Sequence, residues 1–201
     1  MSHDPPKWEV FDQYGPYIDG HHFGLFVSAG HVNRFKARYR TAHALTRVDL
    51  DGFHPDTEYG YTALTKAFLT YSAFEYFLQA IKVKQKRAES LLARYPVSDW
   101  VRDIRTADAG NLFYNFVVQH VDGRHKHHLG EYLAGRAFNY TFLASSVRHT
   151  FAHGILTPSA GGCPAGQAAA ISDAITSSLM QVMDNEFAER MDVLERAAGA
   201  T

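Results

Sequence analysis

Between Tyr61 and Lys82 apolar side chains return every three or four residues: Leu64, Ala67, Phe68, Tyr71, Phe74, Leu78 and Ile81. A strand needs alternation with period two, so this spacing predicts a helix over 61–82 with one wide buried stripe. Glu75 falls inside that stripe, within about 20° of Leu64 and Phe68 around the axis. An unpaired carboxylate there is costly to desolvate, so Glu75 is expected to be protonated, hydrogen-bonded or facing a cation.

The same helical spacing recurs along the chain and strand signals are weak throughout. Further helices are predicted within 21–46 (Phe23, Phe26, Val27, Gly30, Phe35, Tyr39), over 98–107, 109–121 and 136–154, and as one long element over 167–197. Ser98 and Asp99 are residues that cap helices. The basic segment 83–94 reads as an extension of the 61–82 helix, stopped by Pro96. Between these lie an irregular arm at 1–20, a turn-rich stretch at 49–60, a polar connector at 122–128 and a flexible loop at 157–166. The expectation is an all-α bundle of about five to seven helices. An N-terminal arm and first helix (residues 1–57) would pack on a helical unit (58–201) as one structural domain, which 201 residues can supply with a sizeable core.

Composition excludes several classes of function. A formal net charge of −1 argues against a broad basic surface that wraps duplex nucleic acid. The single cysteine, Cys163, rules out an intrachain disulfide, has no motif partner and points to a reducing cytoplasm. MSHDPPKWEV has neither the basic start nor the apolar run of a signal peptide, and no stretch approaches the ~18 apolar residues of a membrane span. The glycine-rich segment 160–166 lacks the Lys-Ser/Thr ending of a phosphate-binding loop.

Residues 136–154, RAFNYTFLASSVRHTFAHG, carry the candidate chemistry. Tyr140, Leu143, Ala144, Val147 and Phe151 share one face. Phe138, Phe142, Ser145, Ser146, His149 and His153 share the other. A helix apolar on both sides is packed on both sides, one against its own bundle and the second against something else. Arg148, His149 and His153 fall in the last turn before Gly154, a helix stop. His149 and His153, at i and i+4, could chelate a metal, yet no Cys, Asp or Glu nearby completes a set, so neither metal nor cofactor is expected. His125, His127 and His128 read as a solvated cluster. KVKQKR at 82–87 reads first as a solvated helix face and second as an RNA-tracking patch.

RHTFAHG resembles the Arg-x4–6-His signature of the HEPN superfamily, and an apolar early helix, this motif and a final amphipathic helix follow in a similar order over roughly residues 58–197. The resemblance implies a helical bundle that dimerises and brings two motifs together. Many members are metal-independent ribonucleases, some of them toxins or phage-defence proteins, and others are non-catalytic scaffolds or binding domains. Arg148 and His153 match the two motif positions. The residue after the arginine is often a polar amide in that family, and here it is His149.

The residues carry their own argument beside the resemblance. A spacing of five puts Arg148 and His153 about 140° apart on a helix, so they do not naturally meet within one chain. A two-fold partner crossing at the Ser145/His149 face, where Ser145 and Ala152 are small, would let each chain complete the other's site. Histidine moves protons near neutral pH and arginine grips a phosphate with two parallel bonds. That pairing suits RNA cleavage by the neighbouring 2′-hydroxyl, with Glu75 orienting Arg148 or His149. The other reading of the same residues is cationic partners for the dipole at a helix C-terminus. A non-catalytic HEPN-like domain that binds a nucleotide, or pairs with an antitoxin or a nucleotidyltransferase, is the functional alternative to an enzyme.

Overall fold

A computed structural model describes residues 3–20 and 24–199. Among them there are nine α-helices, two single 3₁₀ turns and no strand, two helices more than the upper expectation. Among the described residues no helix is long and apolar enough to cross a membrane.

Helix α3 (Pro55–Ala80) is the axis of the bundle, packed against α2 (Ala29–Ala44), α8 (Thr141–Ala152) and α9 (Ala165–Gly199). It begins six residues before the expected start at Tyr61, inside the stretch 49–60 read as turn-rich. Pro55 at its first position suits a helix start, and Asp56 and Glu58 complement the dipole of the first turn. The His54 ring accepts a hydrogen bond from the Asp56 amide. Gly60 lies where α3 meets the loop before α9. A Cβ there would sit 2.5 Å from Cβ of Pro158, so only glycine permits the approach.

The stripe predicted on α9 is buried throughout: Ile171, Ile175, Leu179, Val182, Met183, Phe187, Met191 and Leu194 are all 0% exposed. Each such side chain contributes about 1.5–3 kcal/mol relative to exposure. Its drifting arc meets α3, α5 (Val97–Ala107) and α1 (Trp8–Gly20). One contiguous core runs from Trp8 to Leu194, so the N-terminal helices belong to the same packed unit.

Several local expectations are corrected. Residues 8–20 form α1 rather than an irregular arm, because Trp8 and Phe11 bury against the core and Trp8 stacks on Phe187 at 5.8 Å. The helix predicted within 21–46 starts at Ala29, with the Ser28 hydroxyl accepting from the His31 amide; Phe23 lies outside the described residues. Ser98 and Asp99 sit inside the first turn of α5 rather than capping it.

Residues 83–94 do not extend α3. Lys82 takes a left-handed conformation (φ 59°), and the Val83 amide bonds back to the Leu78 carbonyl at 2.8 Å, closing a Schellman turn. A 3₁₀ turn (Gln85–Arg87) and a short α4 (Ala88–Leu92) follow, pinned by buried Ala88 and Leu92. The loop at 157–166 is packed rather than open. Pro158 and Cys163 are buried, its 3₁₀ turn (Ala160–Gly162) rests on α6 (Leu112–Gln119), and burial pushes the Cys163 thiol up to about 11.

Candidate functional site

The motif helix is shorter than its sequence pattern. Residues 136–140 are not helical, because the Asn139 side chain accepts from both the amide and the hydroxyl of Thr141 and offers the backbone an alternative to the helical ladder. From Thr141 to Val147 every residue of α8 is buried. Its second face is covered by the chain's own α7 (Gly123–Leu133), not left for something else. Only the last turn emerges, with Arg148 and His149 half-buried and His153 exposed.

Gly154 ends the helix as its position predicts. Its φ is 69°, the Ile155 amide bonds to the Thr150 carbonyl at 3.0 Å and the Gly154 amide to the Phe151 carbonyl at 3.0 Å. That Schellman turn fixes His153 at the helix end and turns the chain inward to buried Leu156.

Glu75 and Arg148 are brought together. Oε2 of Glu75 lies 3.7 Å from a terminal nitrogen of Arg148, with the side chains 36% and 40% exposed. The pair continues an α3–α8 seam in which Phe68 meets Phe151 at 6.1 Å. Burial raises the Glu75 carboxyl above its ordinary range and the Arg148 charge only partly offsets this. Nε of Arg148 is shielded from solvent and has no acceptor, which leaves that guanidinium with an unspent donor. Burial, then the charge of Glu75, keeps the nearby Tyr71 hydroxyl protonated.

His149 connects the rest of the cluster. Its ring contacts His153 edge-on at 4.6 Å and stacks on His125 at 5.8 Å. His125 in turn meets the edge of Phe142 at 5.3 Å, and His128 stacks on the same ring at 4.1 Å. The stretch read as a solvated connector is therefore helical, and two of its three histidines face α8. Residues 125, 128, 129 and 132 follow the i, i+3, i+4, i+7 rule, but imidazoles take two of the places that apolar side chains hold in an ordinary amphipathic helix. Leu129 and Tyr132, both buried, hold α7 down.

Electrostatics divide this row. Burial lowers the proton affinity of His125, and the neighbouring His149 and His128 lower it further. His128 is lowered by burial and then by His127, and its Nδ1 accepts from the Asn139 amide at 3.3 Å, which requires a bare nitrogen.

Other expectations fare differently. Ser145, placed on a partner-facing side, is only 4% exposed and its hydroxyl turns toward the Phe142 carbonyl at 3.5 Å, so it offers a partner no surface; Ala152 stays exposed. Within the chain Arg148 pairs with Glu75 while His153 contacts His149, in keeping with their angular separation. Among the described residues no group of three or more His, Cys, Asp or Glu side chains is placed to hold a metal ion.

Comparison with protein-family models, with curated proteins and with solved structures finds no match for this chain. Its class is defined by its own geometry: an all-α bundle in which a buried helix delivers an arginine and two histidines to the surface, beside a carboxylate and a third, less basic imidazole.

Proposed function

We propose that this protein is a metal-independent endoribonuclease of HEPN type, active as a homodimer. The observation that supports the reading best is the gathering of Arg148, Glu75, His149, His153 and His125 at one end of α8. The 2′-hydroxyl of the substrate attacks the adjacent phosphorus, a histidine takes its proton, and the 5′-oxygen leaves with a proton from a second group. The products are a 2′,3′-cyclic phosphate and a 5′-hydroxyl. His153 and a neighbouring imidazole supply this proton traffic. Arg148, permanently charged and with its side chain 40% exposed, stabilises the phosphorane. Glu75 holds the guanidinium in place. A partner chain brings its own His153 to Arg148 across the exposed Ala152–His153 end, since a single chain points the two apart.

The engagement of Arg148 by Glu75 favours a second reading, a non-catalytic HEPN-like domain that binds a nucleotide or a protein such as an antitoxin. Single-stranded RNA incubated with the protein in EDTA distinguishes them. Cleavage to cyclic-phosphate ends, abolished in Arg148→Ala and in His153→Ala with unchanged circular dichroism, is the expected result. Absence of EDTA-resistant cleavage, or its persistence in both variants, overturns the enzyme reading.

A further inference from the structure

A cleft of about 540 Å³ opens beside the imidazole row, lined by Lys84, Gln85, Lys86, Arg124, His125 and Phe142. Three of these are cations and none is a carboxylate. Glu89 and Glu131 act on His128 but do not line the cleft. In a chain of net charge −1 such a concentration of one sign is local, and low-dielectric walls focus its field. The turn that carries the two lysines is set by the left-handed Lys82, which ends α3 and directs residues 84–87 to the cleft's edge opposite α7. Phe142, only 4% exposed, forms the floor.

We propose that this cleft binds the phosphodiester backbone of single-stranded RNA next to the cut, with Lys84, Lys86 and Arg124 holding its phosphates. Three observations support this substrate. His125 lines the cleft and also stacks on His149, so the cleft borders the proposed catalytic cluster. The side-chain amide nitrogen of Gln85, a residue of the cleft wall, is shielded from solvent with no acceptor, an unspent donor that reaches a phosphate or base oxygen once the side chain rotates into the cleft. The volume is that of an ordinary small-ligand site, which encloses a nucleotide or two of a strand and not a duplex. The proposal rests on the ribonuclease reading for its direction, yet strand binding is measurable without cleavage.

The probe is a fluorescein-labelled 2′-O-methyl RNA of ten nucleotides, which has no 2′-hydroxyl to attack. Its anisotropy is followed with the full-length protein across a salt series. The wild type is expected to bind, and the Lys84→Ala/Lys86→Ala/Arg124→Ala variant to bind at least ~10-fold more weakly, with a log Kd–log salt slope smaller by about 2, roughly 0.7 per lost phosphate contact. All three side chains are exposed, so the fold tolerates their removal. No binding by the wild type, or an unchanged slope in the triple variant, overturns the proposal. So does polyglutamate binding as tightly as the RNA with the same loss in the variant, because the cleft would then serve an acidic protein. A wild type that binds the probe but cuts no RNA removes the ribonuclease reading and leaves the cleft standing. One that cuts RNA, with KM unaltered by the triple substitution, does the reverse.

Discussion

The Glu75 carboxylate stands 3.7 Å from the Arg148 guanidinium, joining the axial helix α3 to the motif helix, but it does so at a cost in desolvation. Burial outweighs the arginine in setting the proton affinity of Glu75. The pair therefore positions Arg148 more than it stabilises the fold.

Glu75→Gln tests this balance. A carboxyl whose folded pKa is raised contributes stability that is fully present below its unfolded value and is lost as pH rises through the folded one. At pH 7 the substitution should thus leave stability unchanged or raise it by up to about 1 kcal/mol, a small figure because the pair is a third exposed. The advantage should vanish in urea titrations repeated at acid pH. The proposed RNA cleavage should fall ~10-fold or more through misplacement of Arg148. A loss of stability at pH 7 would mean that the ion pair dominates.

His125 should make stability depend on pH in the opposite sense. Its folded pKa is lowered from 6.5, by burial first, so the folded chain holds its proton less tightly than the unfolded chain. Stability is full above 6.5 and declines as pH falls below it. Melting curves at pH 7.5 and 5.5 should show a larger acid-induced drop in Tm for the wild type than for His125→Gln. Equal drops would place the proton uptake elsewhere.

Gly60→Ala sets two effects of opposite sign against each other. Alanine gains about 1 kcal/mol of helix propensity over glycine. The new Cβ, however, meets the rigid Pro158 ring at 2.5 Å and the Ala165 carbonyl at 3.4 Å. A net loss of roughly 1–3 kcal/mol is expected in urea denaturation, as for other overpacked sites.

Lys82→Gly should act the other way. An L-residue at φ 59° carries left-handed strain of about 1–2 kcal/mol that glycine does not, less the entropy glycine adds to the unfolded chain. A gain of about 0.5–1 kcal/mol in the same assay is the expected outcome.

How far residue order alone reveals this molecule follows from where each interaction is local. The stripes of α3 and α9 and the stop at Gly154 are properties of one helix, and they are visible in its spacing. The Glu75–Arg148 meeting was foreseeable from one misfit, a carboxylate among apolar residues. The end of α3 was not, because no glycine or proline marks Lys82. Helix α7 leaves no apolar stripe in the sequence because two of its inward positions are imidazoles, and a short polar helix stands only through the packing it receives. His125 beside His149 is a tertiary fact with no trace in either segment taken singly.

The complete burial of residues 141–147 has a consequence for how this protein can change. A rod enclosed on every side offers no position that can be altered without disturbing its neighbours, so the emergent end of α8, the proposed reacting end, is tied to the integrity of the bundle. The cations of the cleft, Lys84, Lys86 and Arg124, sit on other segments, a surface turn and the rim of α7. What the protein grips can therefore be retuned by evolution or by an engineer while the proposed chemistry stays where it is.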